Sequence, residues 1–112
     1  MGRSLRIHYP GLIYHVINRG NNRQAVFFED DDYSRYLSVV YRFKKAYRFE
    51  LYAYCLMTNH VHFVVKPERG DSLAKTFRVS HQRYSLYLNR RLNEYGHRWQ
   101  SRLRTGKGPR GR

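Results

Sequence analysis

Two histidines set two residues apart, His60 and His62 in Thr58-Asn59-His60-Val61-His62-Phe63-Val64-Val65-Lys66, carry the clearest chemistry in this sequence of 112 residues. Neutral imidazoles held side by side are ready ligands for a divalent metal. A β-strand provides that arrangement, because successive side chains alternate between its faces and residues two apart share one. Val61, Phe63 and Val65 take the opposite parity and read as a buried face, whereas His60, His62 and Lys66 share a polar face broken only by Val64. Spacing alone does not separate a ligand pair from two solvated histidines, so the surrounding elements have to decide.

Those elements are legible in outline. Leu12 to Asn18 is a β-rich run closed by the turn-forming Arg19-Gly20-Asn21-Asn22. Glu29-Asp30-Asp31-Asp32 supplies carboxylates where a helix N-terminus wants caps and negative charge, a commoner role for consecutive aspartates than metal binding. Tyr33, Tyr36, Leu37, Val40, Phe43 and Tyr47 follow at steps of three and four, an amphipathic helix over about residues 31–47. Phe49 to Met57 alternates Phe49, Leu51, Ala53, Cys55 and Met57 against Glu50, Tyr52 and Tyr54, a second strand that Thr58-Asn59 can turn into the His60 strand. From Ser72 to about Tyr95, Leu73, Phe77, His81, Tyr84, Leu88, Leu92 and Tyr95 form one helical stripe, with Gly96 as its expected C-terminal cap. His97 to Leu103 reads as a fourth, edge strand, and the apolar-free residues 104–112 as a basic disordered tail. Strand, helix, strand, strand, helix, strand is the ferredoxin-like split βαβ plan, an α+β fold with a four-stranded antiparallel sheet and two helices on one face. The open face would present His60 and His62. His15, on the neighbouring first strand, could lie beside them, although a core or edge position is the default for it.

Composition narrows the partner. The formal net charge is +14, and the chain has room for one modest core. Residues 72–112 carry 11 Lys/Arg against 1 Asp/Glu, where residues 1–71 carry 11 against 7. Charge so concentrated suits a polyanion, because neutralising phosphates releases counterions. An anionic membrane surface fits less well, since the basic helix lacks the apolar face of an interfacial anchor. No run approaches a membrane span, and one cysteine, Cys55, excludes an internal disulfide framework and reads as a packed thiol. The expectation is a soluble cytoplasmic protein, nucleoid-associated, with no membrane partner. Several of the 11 tyrosines, Tyr52 and Tyr54 among them, could stack on unpaired bases.

Three separated segments resemble one family. Tyr9-Pro10-Gly11-Leu12-Ile13-Tyr14-His15-Val16-Ile17-Asn18-Arg19-Gly20, then Ala53 to Val65 with its His-Val-His, then Asn89-Arg90-Arg91 with Gly96-His97-Arg98-Trp99-Gln100-Ser101-Arg102, are similar to the REP-associated branch of the single-tyrosine HUH transposases. The resemblance spans about residues 3–103. It implies that His60 and His62 hold Mg²⁺ or Mn²⁺, that the metal polarises a phosphate of hairpin-forming single-stranded DNA, and that a tyrosine hydroxyl attacks to leave a 5′-phosphotyrosine and a free 3′-OH. The family's tyrosine follows the Trp-Gln-x-Arg segment, with an amide-bearing third ligand one helical turn beyond. Residues 104–112 hold no tyrosine, so the expected organisation is a HUH domain over residues 1–103 without the tyrosine helix, cleaving poorly or not at all.

Tyr87, off the apolar stripe and flanked by Arg83 and Arg90, is the candidate substitute nucleophile. Arg19, Arg83, Arg90, Arg91, Trp99 and Arg102 are the candidate DNA contacts, each weighed against a solvated charge or, for Trp99, a core anchor. The alternative from the binding class is a non-catalytic single-stranded DNA or RNA binding protein, and a third is a ribosome-associated protein. Protomers could act singly or as a homodimer.

Overall fold

The computed structural model describes residues 9–100 and 103–107. Four strands, β1 (Tyr14–Arg19), β2 (Phe49–Met57), β3 (His60–Pro67) and β4 (Arg104–Lys107), form one sheet in the order β2-β3-β1-β4, every pair antiparallel. Two helices, α1 (Asp30–Tyr47) and α2 (Ser72–Leu92), pack on one face, giving the expected α+β ferredoxin-like plan. A single 3-10 turn, Asn21–Arg23, follows β1.

The β3 sequence settles which face is which. Val61, Phe63, Val65 and Pro67 are buried and alternate with half-buried His60, His62, Val64 and Lys66. Phe63 meets Tyr36 of α1 and Phe77 of α2, so the aromatic core lies between sheet and helices and the histidines look out from the uncovered face. β1 repeats the pattern, with Tyr14, Val16 and Asn18 inward and His15, Ile17 and Arg19 outward. At the start of α1, Asp32 is the N3 residue of a capping box with Glu29, so the acidic run does cap, through one member that is wholly buried.

Four expectations need correction. β2 keeps its range but not its alternation. A bulge between Leu51 and Ala53 adds Tyr52, so Tyr54 and Leu56 pair with the inward Phe63 and Val61, while Cys55 and Met57 pair with the outward His62 and His60. Cys55 is therefore exposed, its Sγ 3.5 Å from Met57 Sδ, and is no packed thiol. Helix α2 ends at Leu92 rather than near Tyr95, because Asn93 takes the left-handed cap conformation and its N–H reaches the carbonyls of Arg90 and Asn89. The fourth strand is Arg104–Lys107, in the expected tail, while within the expected strand Trp99 makes only an isolated bridge to Gly20. β4 lacks apolar alternation, and its existence rests on backbone pairing with β1.

Candidate functional site

On the open face, neighbouring strands set the site by register, since antiparallel partners share a face. His60 pairs with Met57 on β2 and Arg19 on β1, and His62 pairs with Cys55 and Ile17. The imidazole centroids of His60 and His62 are 4.8 Å apart. His15 joins them after all, its Nε2 3.0 Å from Nδ1 of His62 and its ring stacked at 5.1 Å, because it lies diagonally across the β1–β3 ladder and not in the core. Nδ1 of His60 lies 2.8 Å from Oδ1 of Asn59, a residue that sequence reasoning treated only as part of the turn. Each outward histidine of β3 thus has Nδ1 engaged by the protein. Partial burial, then the charges of His60, His15 and Arg19, lower the pKa of His62 below its ordinary value, which keeps it a neutral donor around neutral pH.

The donor set fits half of a metal site. Two neutral imidazoles on one face suit Mg²⁺ poorly and Mn²⁺ better. Among the described residues no group of three His, Cys, Asp or Glu could enclose an ion, so other ligands would have to complete the shell. Positive charge surrounds the pair. Arg19 is exposed beside His60, and Arg104 of β4, paired with Ile17, is exposed on the same face. Further along, Lys66 lies over the Tyr52 ring at 5.9 Å and 3.8 Å from Glu50.

The remaining sequence candidates divide. Tyr87 sits on α2 in the helix layer, across the sheet from His60 and His62. Its hydroxyl donates to Asp32 Oδ1 at 2.8 Å, and burial together with that carboxylate raises its pKa, the wrong direction for a nucleophile. Arg91 is committed to the same carboxylate, Nε to Oδ1 at 3.0 Å and an Nη to Oδ2 at 2.6 Å, and to Glu29 at 2.8 Å, so it is a structural cation and not a free DNA contact. Trp99 takes its core role, 7% exposed and stacked on His81 at 4.1 Å. Arg83 is exposed on α2 over the Phe43 ring, and Arg90 is exposed with no ion pair among the described residues. Arg102 lies outside the described residues. Tyr52 and Tyr54 are half exposed but serve different faces. Tyr52 stands beside Lys66, four residues from His62 and so about 13 Å along the strand, with its hydroxyl donated to Glu50.

No helix among the described residues is long and apolar enough to cross a membrane. The profile of one family, described as "Transposase IS200 like", matches residues 8–106. No curated protein matches the sequence significantly. Among solved structures, a REP-associated tyrosine transposase bound to a REP hairpin superposes with a TM-score of 0.75 at 16% identity over 98% of this chain. This chain spans 64% of that protein's length. A candidate transposase from Deinococcus radiodurans R1 superposes with a TM-score of 0.67 at 18% identity, covering 97% of this chain and 87% of that one.

Proposed function

The chain belongs to the IS200-like transposase family, and on that premise we propose that it binds hairpin-bearing single-stranded DNA on the open face of its sheet as the HUH part of a DNA-transposition machinery. The observation that carries this reading is the pair His60 and His62, outward on β3 with Nδ1 of each engaged and Arg19 in register beside them. In the proposed complex Arg19 and Arg104 meet backbone phosphates, and the registers of β1 on β3 and of β4 on β1 fix their spacing from the imidazoles. His60 and His62 would hold a divalent ion, which when bound would supply charge stabilisation to a phosphate oxygen. Residues 1–103 act as the HUH domain in this proposal, its sheet completed at the edge by β4 from the following segment, and the site is one that protomers use singly or in pairs.

Strand cleavage by this chain alone is weak in this proposal, because the tyrosine nearest in expectation, Tyr87, is bonded to Asp32 on the helix side. Binding and cleavage therefore separate in one experiment. A labelled hairpin single strand is incubated with the protein and Mn²⁺, then run on native and denaturing gels. The expected result is a retarded complex that weakens in His60→Ala only when Mn²⁺ is present, with little covalent adduct. An efficient adduct mapped to a tyrosine of this chain would overturn the weak-cleavage claim. Preference for duplex RNA over the DNA hairpin would overturn the substrate.

A further inference from the structure

The turn that joins β2 to β3 is gripped from one side. Val26 donates its N–H to the Thr58 carbonyl at 2.7 Å, and Gly20 donates to the Asn59 carbonyl at 2.9 Å. Gly20 is required by close approach, because a Cβ there would lie 2.1 Å from the Gln24 carbonyl oxygen. Asn22 and Arg23 adopt left-handed φ values of 54° and 60°, and the Arg23 carbonyl accepts from Nδ2 of Asn59 at 3.4 Å. A carbonyl can only accept, so this contact fixes which end of the Asn59 amide is nitrogen. Oδ1 must then face His60, and an amide oxygen can only accept. Nδ1 of His60 is therefore the protonated nitrogen, and Nε2 carries the free lone pair.

We infer that Asn59 is a positioning residue that locks His60 in the Nδ1–H tautomer and so keeps Nε2 available as a metal donor. Nε2 of His15 lies against Nδ1 of His62, so Nε2 is the nitrogen turned away from these protein partners on both β3 rings, while the proton is assigned by an obligate acceptor at His60 alone. Unconstrained neutral histidine favours the opposite tautomer, with the proton on Nε2. Partners of this kind orient a ligating imidazole and typically change metal affinity by about 10–100-fold. The tautomer stands on the local hydrogen bonds alone, and its consequence for metal rests on the proposed role of His60 and His62.

Long-range ¹H–¹⁵N spectra of the histidine rings test the tautomer in metal-free protein at about pH 8, where unperturbed imidazole is neutral. The wild type is expected to show His60 as Nδ1–H, Asn59→Ala to shift it towards Nε2–H, and Asn59→Asp, which keeps an oxygen acceptor, to restore Nδ1–H. Mn²⁺ titration of the same samples is expected to weaken by about 10–100-fold in Asn59→Ala. A wild-type His60 found as Nε2–H, or an unchanged tautomer in Asn59→Ala, overturns the inference. A wild type with the expected tautomer but no Mn²⁺ binding leaves the positioning role intact and overturns the metal reading instead.

Discussion

The two faces of the sheet carry the same kinds of side chain to opposite ends. On the covered side, Asp32 accepts from the backbone N–H groups of Phe28 and Glu29, from the Tyr87 hydroxyl and from Arg91, while His81 sits between Trp99 and the Tyr36 hydroxyl, 2.7 Å from its Nε2. On the open side, His60, His62 and His15 have partners on one flank and solvent on the other, and Arg19 beside them is exposed. A charge with every partner supplied by the fold stabilises the fold; one with partners on a single flank remains available to a ligand. Residue type therefore does not identify the site, and partner count does.

The sharpest way to break this contrast is Asp32→Ala. Burial opposes ionisation of Asp32, but the backbone donors of Phe28 and Glu29, Tyr87 and Arg91 outweigh it and hold the carboxyl below its ordinary pKa. Losing the cap and the charge-assisted bonds should cost about 2–4 kcal/mol, less than a fully buried ion pair because Arg91 can turn to water. Urea denaturation measures it, and a change below about 0.5 kcal/mol, the range of an ordinary surface substitution, would remove Asp32 from the structural set.

Acid should separate the faces next. Burial drives the His81 pKa down to about 3, so the unfolded chain takes up a proton that the folded chain refuses. Stability should then fall as pH drops below about 6.5, the ordinary histidine value, and continue falling towards the folded pKa. His62, also lowered, adds in the same direction. His81→Phe should flatten the urea midpoint between about pH 6.5 and pH 5, a window above most carboxylate titration. An unchanged slope would mean that His81 is not held neutral.

Arg19→Ala should have the smallest effect on folding, within about 0.5 kcal/mol, yet it should weaken hairpin binding and lower the salt slope by about one counterion. Arg91→Ala should do the reverse, lowering stability while leaving the salt slope unchanged.

These contrasts also explain what the sequence reveals. Strict alternation in β3 exposes both its strand nature and the outward direction of His60 and His62, because burial on one face leaves a period-two trace. β2 has the same trace, but a one-residue bulge at Tyr52 reverses it midway, so Cys55 and Met57 emerge on the histidine face without any local signal. The Asp32–Arg91 pair joins residues 59 apart in sequence, and no periodicity encodes such a pairing. Tyr87 looked accessible from helical spacing because α1 supplies the carboxylate that occupies it. β4 escapes notice because edge pairing asks little of its side chains, and Asn59 because a turn residue and a histidine partner look alike in one dimension.

The most direct test of the central claim, that the open face engages DNA, is a backbone ¹H–¹⁵N titration of the protein with a hairpin-bearing single strand in Mg²⁺. Shift changes concentrated on β1, β3 and β4, with the largest at Arg19, His60, His62 and Arg104, are the predicted result. Changes confined to α1 and α2, with the histidine strand silent, would contradict it.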